Sequence, residues 1–250
     1  MIRTSVTGGI ARLVLVDSDR HNAMSRSMMR DAAAALDRFA ADPAVRVVVV
    51  SGHGADFSAG ADLRGITTGP ELEAAAAALF RGLEAFDRPV VAVVRGYCLG
   101  AGVALALRAD VRIATPTSVF GVPAARVGIG YPLAEVRALV RVVGPAAAAD
   151  LLITARRIDG VEAHRIGLVT RLVEDRDLDV AALSVAESVV ANAPLSVRAA
   201  KAAIAAVVDP DRPGMCERAE QLIATCAGSR DAREGADAIL QKRPPEFTGC

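Results

Sequence analysis

Two runs of β-branched residues, Val45–Val50 (VRVVVV) and Val90–Val94 (VVAVV), constrain this chain more than anything else in it. A strand with one wet face alternates apolar and polar residues. A short continuous run bounded by turn residues instead predicts a strand buried on both faces, the signature of a parallel sheet covered by helices. Ile10–Val16 (IARLVLV) reads as an earlier strand nearer the edge, and Val111–Ala114 (VRIA) as a short later one. Helical patterns alternate with them: Ser25–Ala41, Glu71–Phe86 and Gly102–Ala109. Such alternation predicts an α/β core.

The second half changes character. Leu133–Val143 reads as a helix ended by Gly144, and Pro145 opens the next one, to about Thr154. Asp159 with Glu162 forms a capping-box pattern for a short helix ending at Gly167. After Glu174 strand patterns cease. Asn192-Ala193-Pro194 opens a helix with Val197, Ala200, Ile204 and Val207 on one stripe, and Asp231 with Glu234 caps a last helix carrying Ala238 and Ile239. These patterns divide the chain into a core over 1–195 and a helical region over 196–250.

Both buried runs empty into loops of small residues that lead towards a helix. The first is Ser51–Leu63 (SGHGADFSAGADL), with a helix expected near Asp62; the second is Arg95–Leu105 (RGYCLGAGVAL). The first N–H groups of a helix lack an intrahelical acceptor, and the helix dipole makes that end positive. Small residues let a ligand oxygen approach the main chain. Two such turns facing each other offer two backbone donors to one carbonyl oxygen, an oxyanion hole. The plain structural alternative is tight strand–helix packing. A dinucleotide-binding turn is disfavoured, because Gly100-Ala101-Gly102 begins G-x-G but the third glycine would fall at Leu105; a nucleotide-dependent oxidoreductase is accordingly the weakest functional reading.

Composition narrows the partners. Lys+Arg and Asp+Glu number 29 each, a balance that argues against a nucleic-acid binder. The four cysteines (Cys98, Cys216, Cys226, Cys250) have no CxxC spacing and histidine is scarce, so no metal site or disulfide framework is expected. No signal peptide and no membrane-spanning run are read, which gives a cytoplasmic expectation. Aromatics are only 3%, so each apolar side chain buries little area, and oligomerisation is one way to recover burial.

Taken together, the motifs resemble the crotonase superfamily, the enoyl-CoA hydratase/isomerase proteins. Arg20-His21-Asn22-Ala23-Met24 resembles the family's entry motif, Phe57–Leu63 (FSAGADL) its first oxyanion motif, and Gly96–Asp110 (GYCLGAGVALALRAD) its second. Phe120–Pro132 (FGVPAARVGIGYP), Ala155–Val169 (ARRIDGVEAHRIGLV) and Asn192–Lys201 (NAPLSVRAAK) are similar to later landmarks in the same order. The resemblance implies a crotonase-like spiral of ββα units with a C-terminal helical region, assembled as a homotrimer or as a hexamer of two trimers. It implies an acyl-CoA thioester as substrate, with CoA part of that substrate and no separate cofactor. Carried over by position, the oxyanion-hole N–H groups belong to Ala61 and Ala101. Ala59 meets the adenine through its backbone, Arg20 and His21 border the adenosine, Arg64 lies where a basic residue meets CoA phosphate, and Lys242 is a CoA-contacting residue contributed by a neighbouring subunit. The wall of the acyl pocket is expected over residues 67–80.

One departure matters. The family's hydratases activate water with two glutamates, and those positions here are Ala104 and Ala124. A methyl group neither takes nor gives a proton, and each general acid–base contribution is typically worth about 10²–10⁴-fold. A substitute aspartate found in some relatives would fall at Pro132. The polar groups left nearby are Tyr131, Glu135, Arg126 and Cys98. Glu135 also fits a solvated first-turn glutamate, Tyr131 a packed ring with its hydroxyl on the main chain, and Cys98 a small buried filler. The sequence therefore favours enolate chemistry on an acyl-CoA, such as an isomerase-like proton shift through Tyr131 or Glu135, over hydration. A non-catalytic acyl-CoA-binding homologue is the alternative.

Overall fold

The structure is a computed structural model that describes residues 1–62, 64, 69–210 and 212–250. Its main sheet has six strands in the order β1 (Ile2–Thr7), β2 (Ile10–Leu15), β3 (Val47–Gly52), β4 (Val90–Val94), β6 (Val111–Ala114) and β9 (Arg171–Leu172). Within this sheet, among the described residues, only the β1–β2 hairpin is antiparallel. A second sheet joins β5 (Tyr97–Leu99), β7 (Val119–Gly121) and β8 (Arg157–Asp159).

The valine runs behave as their continuity demands. Side chains alternate along a strand, so Val48, Val50, Val90, Ala92 and Val94 enter one core while Val47, Val49, Val91 and Val93 enter another. The first core lies against helices α1 (Arg26–Ala41), α2 (Gly69–Ala85), α3 (Ala101–Leu107) and α4 (Leu133–Thr154). The second is closed by Leu178, Ala182, Val185 and Ala186 of α6 (Leu178–Ala191). Two residues separate β4 from β5, which turns into the second sheet and runs through Gly100 into α3: this is one ββα unit of the spiral, and β6, β7 and α4 repeat the scheme.

Local signals account for the ends. Ser25 caps α1 by accepting from the Met28 N–H, and Met28, Met29, Ala32, Ala35, Leu36 and Phe39 form its buried stripe; losing such a cap costs about 1 kcal/mol. Gly144, at φ 76°, breaks α4 into two helices at the expected place. Asp159 caps α5 (Gly160–Arg165) by accepting from the Glu162 N–H.

Ile10–Leu15 lies nearer the edge than the two valine-rich strands, with β1 outside it. One reading needs revision. The cap of α9 (Arg230–Gln241) is Ser229, whose hydroxyl accepts from the Ala232 N–H. Asp231 instead turns back to accept the N–H groups of Thr248 and Gly249, because its buried carboxylate finds stronger partners in the returning tail. The helix expected near Asp62 falls largely outside the described residues, which lack 63 and 65–68; Arg64 is in a 3-10 turn, and α2 begins at Gly69.

After β9 no strand occurs among the described residues, and α7 (Pro194–Val208), α8 (Met215–Gly228) and α9 follow α6. Ile204 and Val207 of the predicted stripe are exposed, as are Ile239 and Leu240; the faces of α7 turned inward carry Ala199 and Ala206. No single helix among the described residues is long and apolar enough to cross a membrane.

Candidate active site

The two small-residue turns lie side by side because main-chain bonds stitch them together. Phe57 N–H donates to Arg95 O, Ser58 N–H to Tyr97 O, and Leu99 N–H back to Ser58 O, each within 2.9 Å. Close approach dictates the glycines. A Cβ on Gly60, which sits at φ +104°, would lie 2.8 Å from Leu99 O and 3.4 Å from Ala101 N; one on Gly102 would lie 2.7 Å from Ser58 O. Gly60 thus sets the first turn directly against the Ala101 amide.

Ala61 pairs with Met24 across a parallel bridge. The bonds of that bridge come from its neighbours, Met24 N–H to Gly60 O and Asp62 N–H to Met24 O, so the Ala61 N–H faces away from Met24. Ala101 opens α3, with Gly100 at the cap position and no capping side chain. Among the described residues neither the Ala61 nor the Ala101 N–H is given to another protein group. Both alanines are partly exposed at the margin of the core that also holds Ala104, Ala124 and Tyr131.

Tyr131 donates its hydroxyl to Gly100 O at 3.1 Å, and burial pushes its phenol well above the ordinary range. Gly100 O and the Ala101 N–H belong to one planar trans peptide and point in opposite directions. Gripping the oxygen therefore fixes where the N–H aims. Cys98 is fully buried, and burial pushes its thiol up; it is packing rather than a nucleophile.

Glu135 is not solvated. It is 6% exposed and pairs with Arg108, whose side chain is 3% exposed. Arg108 also donates to Ala104 O at 2.9 Å, reaches Glu84 at 3.2 Å and lies 4.6 Å over the Phe80 ring. Burial raises the Glu135 carboxyl from its ordinary value, and Arg108 opposes that only in part. Ala104 (1% exposed) and Ala124 (9%) are buried. Arg126 lies in the 3-10 turn Pro123–Val127 and is exposed. Of the expected pocket wall 67–80, Thr67 and Thr68 lie outside the described residues and the rest belongs to α2.

On the other flank, the Ala59 N–H donates to His21 O at 2.8 Å. His21 Nδ1 lies 2.6 Å from Asp56 Oδ2, and Asp56 Oδ1 accepts the Tyr97 N–H. Asn22, fully buried, donates to His53 O and Asp56 O while its own oxygen accepts the Asp17 N–H. Arg20 lies 3.3 Å from Asp17 and 3.9 Å from Asp62. Arg64 forks onto Asp62 at 2.7 and 3.0 Å, which holds that carboxyl below its ordinary value. Lys242 is exposed at the C-terminal end of α9. Asp56 and Arg108 were not foreseen: an aspartate in a Gly-rich loop and an arginine ending a helix carry no signal until partners far along the chain are known.

A spiral of ββα units with paired turns at its strand ends defines the crotonase type of α/β protein. A solved enoyl-CoA hydratase from Bacillus anthracis superposes on it with a TM-score of 0.92 at 28% identity, covering 100% of this chain and 99% of that one. The family model described as enoyl-CoA hydratase/isomerase matches residues 5–250. The chain is 33% identical to the crotonyl-CoA hydratase of Syntrophomonas wolfei over 90% of this chain and 89% of that protein. It is 31% identical to the 2,3-dehydroadipyl-CoA hydratase of Escherichia coli over 95% and 96%. The chain belongs to the enoyl-CoA hydratase/isomerase family.

Proposed function

We propose that this protein is an enzyme of acyl-CoA metabolism that stabilises a thioester enolate between the Ala61 and Ala101 N–H groups and does not efficiently hydrate simple enoyl-CoA substrates. The observation that carries the reading is a juxtaposition. Two main-chain donors without a partner among the described residues lie in adjacent, stitched turns, while Ala104 and Ala124, which the family resemblance aligns with the water-activating carboxylates, carry buried methyl groups. A carboxylate removes a proton from the acyl α-carbon, the negative charge passes to the thioester oxygen, and the amides hold it there without reorganisation. Return of the proton at the α or γ carbon gives exchange or an isomerised double bond.

Glu135 is the proton carrier in this reading. Its partner Arg108 also donates to Ala104 O, and burial raises the Glu135 carboxyl from its ordinary value, the direction that makes a carboxylate a stronger base. Tyr131 acts as a positioning residue for the Ala101 amide, since its hydroxyl already serves Gly100 O. The CoA moiety runs along Arg20, His21 and Arg64. The Ala59 carbonyl remains for the adenine because its N–H is taken by His21. Lys242 reaches the substrate from a neighbouring subunit of a trimer or of a hexamer of two trimers, and the exposed apolar residues of α7 and α9 support such an assembly.

Incubating the protein with saturated and unsaturated acyl-CoA thioesters in deuterated buffer tests this. Deuterium at the acyl α or γ carbon is expected, with hydration of crotonyl-CoA absent or slow. Tight binding without exchange would support the alternative, a non-catalytic acyl-CoA-binding homologue. Failure to bind any CoA thioester would remove both.

A further inference from the structure

At the opposite ends of the central strands from the candidate active site lies a second, unrelated concavity. It is a cavity of about 180 Å³ bounded by Pro43 and Arg46 before β3, Arg88 before β4, the first turn of α7 (Pro194, Leu195, Arg198) and the returning tail at Thr248 and Gly249. Three arginines line it, and no carboxylate does among the described residues.

Their charges are unevenly answered. Arg88 is satisfied by the carbonyls that end α1, donating to Ala40 O at 3.1 Å and Asp42 O at 2.9 Å. Arg198 pairs with Asp87, which also stands 3.8 Å from Arg88 Nε. Arg46 forms no ion pair among the described residues, and its recorded bond is a long one, 3.4 Å to Phe247 O. Lys201, one turn beyond Arg198, is already matched by Asp110 at 2.8 Å. Two guanidinium nitrogens, Arg46 Nη1 and Arg198 Nε, are buried without a hydrogen-bond partner among the described residues. Native proteins rarely bury donors unpaired, and charged donors least of all. The third contribution is the positive end of α7, a fifteen-residue helix with no capping side chain and no acid in its first turn.

We infer that this cavity binds a small oxyanion, a phosphate or carboxylate group, held between Arg46 and Arg198 at the N-terminal end of α7. The volume admits a phosphate-sized ion and excludes a nucleotide. Asp231, by holding the N–H groups of Thr248 and Gly249, keeps the tail in place as the outer wall. The ion would tie together β3, β4, α7 and the tail, so its binding stabilises the fold rather than taking part in the chemistry at the other end of the sheet.

Calorimetric titration of the full chain with inorganic phosphate, and in parallel with acetate, tests the assignment at an ionic strength held constant with chloride. One saturable site for either ion is expected, weakened about tenfold or more in Arg46→Met, which removes the guanidinium that makes no ion pair among the described residues and keeps the length of the side chain. Arg198→Met should behave alike if it folds, which circular dichroism checks; Arg46→Met keeps the proposal testable if it does not. The inference is overturned if neither ion binds beyond chloride, or if binding is unchanged in Arg46→Met. It is overturned as well if saturating CoA abolishes binding, which would place the ion on Arg20 and Arg64.

Discussion

The two sides of the candidate site were built from different materials. On one side the groups we propose to work are peptide N–H donors, fixed by Gly60, Gly102 and the stitching between residues 57–61 and 95–101. On the other they would be side chains, and in the proposed reading buried alanines, Ala104 and Ala124, stand where the customary ones would be. The difference teaches that main-chain chemistry is tied to the fold itself, whereas side-chain chemistry can be exchanged without disturbing a single strand. The site is therefore best probed by changes that strike one side and spare the other.

The largest effect is expected from Ala101→Pro. Proline suits the first position of a helix, yet it removes the N–H; loss of one oxyanion donor costs about 10²–10³-fold. Deuterium exchange should fall by that order with helix content preserved, and an unaltered rate would show that the amide side does nothing. Next comes Ala124→Glu, in the 3-10 turn at the margin of the core, which should raise crotonyl-CoA hydration by about 10²-fold if a missing carboxylate is what limits it. An unchanged rate would mean that the two sides are not separable.

Tyr131→Phe should be milder. One hydrogen bond is worth about 1 kcal/mol, so exchange should drop several-fold with the shape of its pH profile retained. Loss of one limb of that profile would make the hydroxyl a proton carrier instead. The smallest effect is on stability. Burial raises the Glu135 carboxyl, so the folded chain keeps that proton to higher pH than the unfolded chain does. Its stabilising contribution is complete below the ordinary carboxylate pKa and is lost as pH rises through the folded value. The melting temperature of the wild type minus that of Glu135→Gln should accordingly be more positive near pH 4 than near pH 7; the opposite trend would mean that Arg108 dominates over burial.

The sequence disclosed what is local and periodic. Unbroken valine runs required strands covered on both sides, and Ser25, Asp159 and Gly144 marked helix ends because capping and left-handed turns are decided within a few residues. The ββα spiral and the family came from motif order. What stayed hidden depends on partners remote in the chain. Glu135 read as a solvated first-turn acid because nothing near it announces Arg108, 27 residues earlier. Asp231 read as a cap because its pattern is right, yet the tail 17 and 18 residues later competes successfully for its oxygens. β1 lacked the continuous apolar run because all but its first residue faces water.

The pairing of Ser58 with Cys98 has a kinetic consequence. The two partners stand 40 residues apart in sequence (98 − 58), with the whole of α2 between them, and must meet before that bridge can close. Contacts so distant along the chain form late in folding. A refolding molecule should thus regain helical circular dichroism well before it regains affinity for a thioester, and any species trapped in between would be helix-rich and blind to its ligand.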